Sequence, residues 1–239
     1  MTDRSEEKLA VVAGGTGGLG RAVSRAFLEQ GWDVAVTYRL QKEWQALHEA
    51  SGEKSQQLEG YELDVTDERA IKDWIEMLAV KHRRVDALIN TVGGYAGGAK
   101  LWEMEPRVFE QMLALNLRSG FVLARAVVPL MLRQGYGSIV NVASKAALDH
   151  AAGASAYVAS KTAAVAMMDS LAAELKGTGV RVNSILPSII DTEANRRAMP
   201  NSDFAKWPKP EEIAQVILFL CSDDAKLVRG AAIPVYGAS

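Results

Sequence analysis

Leu9-Ala10-Val11-Val12-Ala13 followed by Gly14-Gly15-Thr16-Gly17-Gly18-Leu19-Gly20 decides how the chain is read. The first five residues form a continuous apolar run of strand length, and the next seven form a glycine-rich turn. A helical pattern then runs from Arg21 to Gln30 and is closed by Gly31. An apolar strand that does not alternate predicts a sheet covered on both faces. Glycines at 14, 15, 17, 18 and 20 let a backbone without Cβ approach a pyrophosphate closely. The helix that starts near Gly18 offers free N–H groups and a positive dipole end. Placed after the first strand of an alternating chain, this turn predicts a dinucleotide site on Gly14, Thr16, Gly17, Gly18, Leu19 and Gly20.

The alternation continues outward from that turn. Strands are predicted over Asp33 to Tyr38, Leu58 to Val65, Val85 to Asn90, Gly137 to Val142, Val180 to Leu186 and Ala231 to Val235. Helices are predicted over Gln41 to Ala50, Asp67 to Arg84, Pro106 to Gln134, within Gly153 to Gly177, and over Glu211 to Cys221. Ser51 to Gln57 reads as a polar connector and Pro187 to Pro210 as an irregular stretch. The pattern predicts a single-domain, doubly wound parallel α/β sheet of about seven strands with helices on both faces. It occupies residues 9–239, after a flexible polar tail over 1–8, with a substrate loop at about 188–210.

Bulk properties narrow the function classes. The 239 residues carry a net charge of -2, with 49% apolar and 23% charged residues, as in ordinary globular proteins. That charge gives no reason to expect nucleic acid or an anionic membrane as partner. A single cysteine, Cys221, sits in an apolar helical stretch and excludes an internal disulfide and a cysteine-based zinc site. No metal site is expected. The polar start has no apolar core of a secretory signal, and no apolar run is expected to reach membrane-spanning length, so the cytoplasm is the expected compartment.

Ligands of such sheets bind at the carboxyl ends of the strands. At the end of the second strand the chain has Tyr38-Arg39 and no acidic residue to bind ribose hydroxyls. Arg39 can pair with a 2′-phosphate, so NADP(H) is preferred and NAD(H) remains possible. Asp64 and Val65 are candidates for the adenine contact. Tyr157 and Lys161 are four apart on one helix face. At roughly 5 Å and an effective dielectric near 20, the ammonium favours a phenolate by about 3 kcal/mol, or about two pK units. That shift would suit a general acid or base.

Six features in order and spacing, from Leu9 to Gly237, make the chain resemble the short-chain dehydrogenase/reductase family. They are the glycine turn, Asn90 with Gly93, Asn116, Ser144 thirteen residues before Tyr157, the Tyr157/Lys161 pair, and Pro187 to Thr192. The resemblance implies a Rossmann-type fold and a reaction that reduces a ketone or 3-oxoacyl carbonyl, or oxidises the alcohol. It implies that Tyr157 exchanges the proton, that Lys161 tunes it and binds the nicotinamide ribose, and that Ser144 binds the substrate oxygen. Asn116 would hold a water that relays protons to Lys161. Thr192, with the Pro187 and Ile190 backbone, would meet the nicotinamide carboxamide. Tyr95, His150 and Trp207 are candidate substrate contacts, the last in a stretch that could act as a lid. The resemblance also implies a homotetramer or homodimer, and Ala156, Ala159, Ala163 and Ala164 would permit close helix packing between subunits. The alternative is a non-catalytic NADP(H)-sensing or scaffold protein of the same fold, which would be expected to lack Tyr157 or Lys161.

The sequence departs from the family pattern at four places. Ala13 stands where a threonine is usual, Thr91-Val92 where Asn-Ala is usual, Ser188 where glycine is usual, and Val235-Tyr236-Gly237 replaces an Asp-Gly pattern.

Overall fold

The structure is a computed structural model and describes residues 8–238. The tail expected over 1–8 therefore lies, apart from Lys8, outside the described residues. Seven parallel strands form one sheet in the order β3-β2-β1-β4-β5-β6-β7. They are β1 (Leu9–Ala13), β2 (Asp33–Tyr38), β3 (Leu58–Glu62), β4 (Ala87–Asn90), β5 (Gly137–Val142), β6 (Val180–Pro187) and β7 (Ala232–Val235). The winding reverses between β1 and β4, whose register pairs Ala13 with Asn90. That reversal opens a crevice at the carboxyl edge of the sheet.

Alternate residues of the inner strands feed two cores. Ala10, Val12, Val36, Ile89 and Val140 pack under α1 (Gly18–Glu29) and α8 (Pro210–Cys221), against Val23, Phe27, Ile213 and Ile217. Leu9, Val11, Leu88, Ile139 and Val182 pack under α3 (Glu68–His82), α5 (Ser119–Gln134) and α6 (Ser155–Glu174), against Ile75, Val127 and Met168. The completely buried runs of β1 and β5 are what a sheet sandwiched between helices requires. The remaining helices are α2 (Gln41–Ala50), α4 (Pro106–Leu113) and α7 (Glu193–Ala198).

Some boundaries differ from expectation for identifiable reasons. The third strand stops at Glu62, because Asp64 Oδ1 accepts bonds from the Thr66 N–H and hydroxyl and turns the chain. Asp67 then caps α3 by accepting from the Ala70 N–H at 3.0 Å. Gly52–Gln57, read as a connector, forms a 3-10 helix. The stretch after Pro187 is less irregular than expected, since Thr192 caps α7 and Asp203 caps a short 3-10 turn over Phe204–Lys206. The long helix over 106–134 is interrupted by a π-helical turn, Ala114–Arg118, centred on Asn116. By length and composition that stretch could cross a membrane, which corrects the expectation that no run reaches such length. In the fold it lies on the sheet, with Val122, Leu123, Val127 and Met131 buried.

At the amino edge of the sheet, His82 bridges two carboxylates. Its Nδ1 lies 3.3 Å from Asp33 and its Nε2 3.1 Å from Glu59. The bonds to Asp33 and then Glu59 raise its pKa to about 9. A raised histidine stabilises the fold fully below its unfolded value and loses that contribution as pH rises through about 9. Wild-type stability should therefore lose on the order of 2 kcal/mol from this group between neutral pH and pH ~10. Unfolding free energies of His82→Gln and wild type should differ most at pH ~6.5 and converge by pH ~10. A constant difference would sink the assignment.

Candidate active site

The carboxyl ends of β1, β4, β5 and β6 bring most of the expected residues together. The glycine turn is built by close contacts. A Cβ on Gly20 would lie 2.1 Å from the Gly14 carbonyl oxygen, and one on Gly15 would lie 2.5 Å from Val36. Gly14 has φ 74°, a left-handed conformation suited to glycine. Gly17 sits at the N-cap of α1 without any side-chain cap, and the first turn holds no acidic residue. Gly17 and Gly18 are exposed, so the free N–H groups of a twelve-residue helix face an open crevice. These features fit a pyrophosphate. Thr16 is buried and donates to Glu43 at 3.2 Å, while Leu19 packs in the core.

The hydroxyl lost at Ala13 is replaced from neighbouring strands. Thr37 Oγ1 accepts from the Gly14 N–H at 2.9 Å, and Thr91 donates to the Ala13 carbonyl at 2.7 Å. Thr91, one of the departures from the family pattern, thus supports the turn from β4. Asn90 is buried, donates to Asn141 at 3.1 Å, and accepts from the Val92 N–H. Arg39 is exposed after β2, and its charge is among the influences that lower the pKa of Asp64, behind the two Thr66 bonds. Val65 is buried. The edge expected to hold the adenine ribose therefore presents Arg39 and Asp64 together.

Around Tyr157 the geometry is tighter. Ser144 follows β5, accepts from the Ala146 N–H at 3.2 Å, and hydrogen-bonds with the Tyr157 phenol. Lys161 is buried at 4% exposure and donates to the Val142 carbonyl at 3.0 Å. Its Nζ is 6.0 Å from the Tyr157 ring centre. Gly93 lies against both partners, since a Cβ there would be 2.9 Å from Asn116 Oδ1 and 3.1 Å from Lys161 Nζ.

One expectation needs correction. Lys161 was expected to lower the Tyr157 pKa by about two units, but in the free protein that pKa is raised. Burial of the half-buried phenol is the largest influence, and the Ser144 bond only partly opposes it. Burial also pushes Lys161 down to about 8, so its ammonium is held less firmly than an exposed one. Asn116, expected to hold a relay water, has its side chain on the neighbouring loop. Its Oδ1 accepts from the Gly94 N–H, and its Nδ2 donates to the Gly94 carbonyl and to Ser160 Oγ, all at 3.0 Å. Both amide hydrogens are committed, and the side chain acts as a clamp. The π-turn that carries Asn116 brings it to that loop.

Thr192 both caps α7 and touches the glycine turn, for a Cβ on Gly18 would lie 2.8 Å from its methyl. The Ile190 carbonyl accepts from Asn195 at 2.8 Å, and Pro187 ends β6. Tyr95 lies edge-on to Tyr157, with ring centres 5.0 Å apart. His150 is exposed on the loop after Ser144, and Trp207 is buried against Phe204. Trp207 is thus an anchor of its loop in this conformation. Ser188 donates to the Tyr236 carbonyl at 2.7 Å, joining two of the departures from the family pattern. Sequence reasoning missed Ser160, whose hydroxyl donates to the Tyr157 carbonyl at 2.7 Å while accepting from Asn116. Its place one turn from Tyr157 was the available signal.

Residues 8–203 match the family described as short chain dehydrogenase. The chain belongs to that family. The 3-oxoacyl-(acyl-carrier-protein) reductase FabG of Thermotoga maritima is 32% identical over 98% of each chain. The D-threitol dehydrogenase of Mycolicibacterium smegmatis is 33% identical over 98% of this chain and 93% of its own. Among solved structures, ElxO with NADP bound superposes with a TM-score of 0.91 at 24% identity, over 97% of this chain and 98% of its own. As a short-chain dehydrogenase, the chain is an oxidoreductase of alcohol and carbonyl groups.

Proposed function

We propose that this short-chain dehydrogenase is an NADP(H)-dependent carbonyl reductase that runs in either direction on a small-molecule ketone or 3-oxoacyl carbonyl. The observation that carries the reading is the Ser144–Tyr157 hydrogen bond beside buried Lys161, at the edge where the uncapped α1 turn opens. A bound nicotinamide dinucleotide supplies or accepts the hydride. Gly14 through Gly20 and Thr192 would hold its phosphates and carboxamide, and Arg39 its 2′-phosphate. Tyr157 gives its proton to the carbonyl oxygen as negative charge develops there, and Ser144 donates the second bond to that oxygen. A phenol held protonated by burial is the competent form for reduction. Asn116 positions the Gly93-Gly94 backbone against Lys161.

We assign the subunit contact to the groove between α5 and α6. Phe121, Val128, Pro129, Met167 and Leu171 line a groove of about 420 Å³, and Phe121 is 46% exposed. A homodimer or homotetramer would bury it. Of the four alanines expected to face a partner, Ala156 and Ala164 pack inside the chain, leaving Ala159 and part of Ala163.

The direct test incubates the protein with NADPH and a panel of ketones and 3-oxoacyl thioesters while nicotinamide absorbance is followed. Turnover is expected. Tight NADPH binding without turnover on the whole panel would replace the reductase with the sensing alternative. Arg39→Ala should weaken NADPH about tenfold to a hundredfold and leave NADH within about threefold, as for a charge-assisted phosphate bond. Wild-type dissociation constants equal for the two cofactors would overturn the Arg39 assignment.

A further inference from the structure

We propose that Tyr95 is the specificity wall of the reaction site, and that the carbonyl substrate carries a flat or extended apolar group that lies along its ring. The proposal rests on Tyr157 being the proton donor. Tyr95 is 69% exposed, yet its ring is held from several sides. The residue before it, Gly94, is clamped by the Asn116 side chain through two 3.0 Å bonds. Its hydroxyl lies over Gly97, where a Cβ would come within 2.2 Å of that oxygen, so glycine is what leaves room for the ring. Gly98 then donates to the Gly153 carbonyl at 2.8 Å, tying the loop to the segment that leads into Tyr157. The ring finally meets Tyr157 at 5.0 Å and 75°, an edge-to-face contact. An aromatic ring fixed this firmly beside the reacting phenol presents most of its surface to whatever approaches that phenol.

The side of Ser144 is apolar as well. Ala143, Ala147 and Leu186 form a buried cluster with Tyr236 packed on it. Lys145, next to Ser144, is engaged, with Nζ 5.0 Å from the Tyr236 ring centre and 3.7 Å from Asp149. Lys161 is committed to the Val142 carbonyl. A substrate with a phosphate or carboxylate beside its carbonyl meets no uncommitted lysine in these contacts, whereas an apolar group gains burial against Tyr95.

The test compares kcat/KM with NADPH for three classes: aryl or long-chain alkyl ketones, small polyhydroxy ketones, and ketones bearing a carboxylate or phosphate. Wild type should prefer the apolar class at least about tenfold, as expected for burying a ring-sized group. Tyr95→Ala should lose about tenfold more on apolar than on polyhydroxy ketones, mainly through KM, and Tyr95→Phe should restore the preference. Equal losses across the classes would show a loop-supporting role and overturn the proposal, as would a wild-type preference for polyhydroxy or anionic ketones. A second readout is independent of turnover: acetophenone binding to the protein loaded with oxidised NADP, which has no hydride to give, followed by quenching of its tyrosine and tryptophan fluorescence. Binding weakened by Tyr95→Ala without turnover on any ketone removes the reductase and keeps the apolar site. Turnover with binding unaffected by Tyr95→Ala removes the Tyr95 proposal alone, and absence of both removes both.

Discussion

Tyr157→Phe is expected to lower kcat about a thousandfold while leaving the fold and cofactor affinity nearly intact, since positioned proton transfer contributes about 10²–10⁴-fold. The ring stays in place, keeping its edge contact with Tyr95 at 5.0 Å. What is lost is one hydroxyl and its bond with Ser144. Ser144 still accepts from the Ala146 N–H, so its hydroxyl is not left without a partner. The melting temperature should therefore move by only a few degrees, and the NADPH dissociation constant by less than about threefold. Wild-type reduction should hold its rate from neutral pH upward until the burial-raised phenol begins to lose its proton, while alcohol oxidation should rise over the alkaline range. Single-turnover rates with NADPH, read beside thermal melts, check both statements. A mutant retaining a tenth of wild-type kcat would remove Tyr157 from the role of acid.

The fold was legible because its signals are local and redundant. An apolar run, a glycine turn and a 3.6-residue pattern repeat along the chain, and β1 through β7 follow that order. The grouping of Asn116, Ser144, Tyr157 and Lys161 was legible for a related reason: parallel strands bring their carboxyl ends to one edge. Energetics at that edge were not legible, because spacing says nothing of depth. A Tyr/Lys pair one turn apart predicts a lowered phenol pKa only if water stays near the pair. Here burial acts on both groups, raising Tyr157 and lowering Lys161 to about 8. Asn116 shows the intermediate case. A polar side chain inside an apolar helix signals that it has a partner, but the partner is a backbone more than twenty residues earlier, reached through a π-turn that sequence periodicity does not reveal. The support for the glycine turn was hidden in the same way. Ala13 looked like a lost bond until Thr37 and Thr91 supplied hydroxyls from adjacent strands.

Lys161→Met is expected to cost about a thousandfold in kcat without destabilising the free protein at pH 7. Burial lowers the Lys161 pKa from 10.5 to about 8, so the fold bears the charged side chain at a cost of about 3 kcal/mol. That cost is fully present below pH ~8 and fades as pH rises towards 10.5, because over that window the unfolded chain binds the proton and the folded one does not. Methionine removes the cost but leaves the Val142 carbonyl without its donor, which takes back about 1–3 kcal/mol. The net change at pH 7 lies between neutral and about 2 kcal/mol of stabilisation. Relative to wild type, the mutant should then lose about 3 kcal/mol by pH ~10.5. His82 contributes in the opposite direction over part of this range, but it is common to both proteins and cancels in the difference. Denaturant titrations of the two proteins at pH ~7 and ~10 give that difference directly. If it did not change with pH, Lys161 would carry no buried charge in the free protein. A lysine held at a stability cost and recovered as catalysis is the stability–activity trade expected of a residue kept for chemistry, and the pH-dependent difference separates it from a lysine kept for packing.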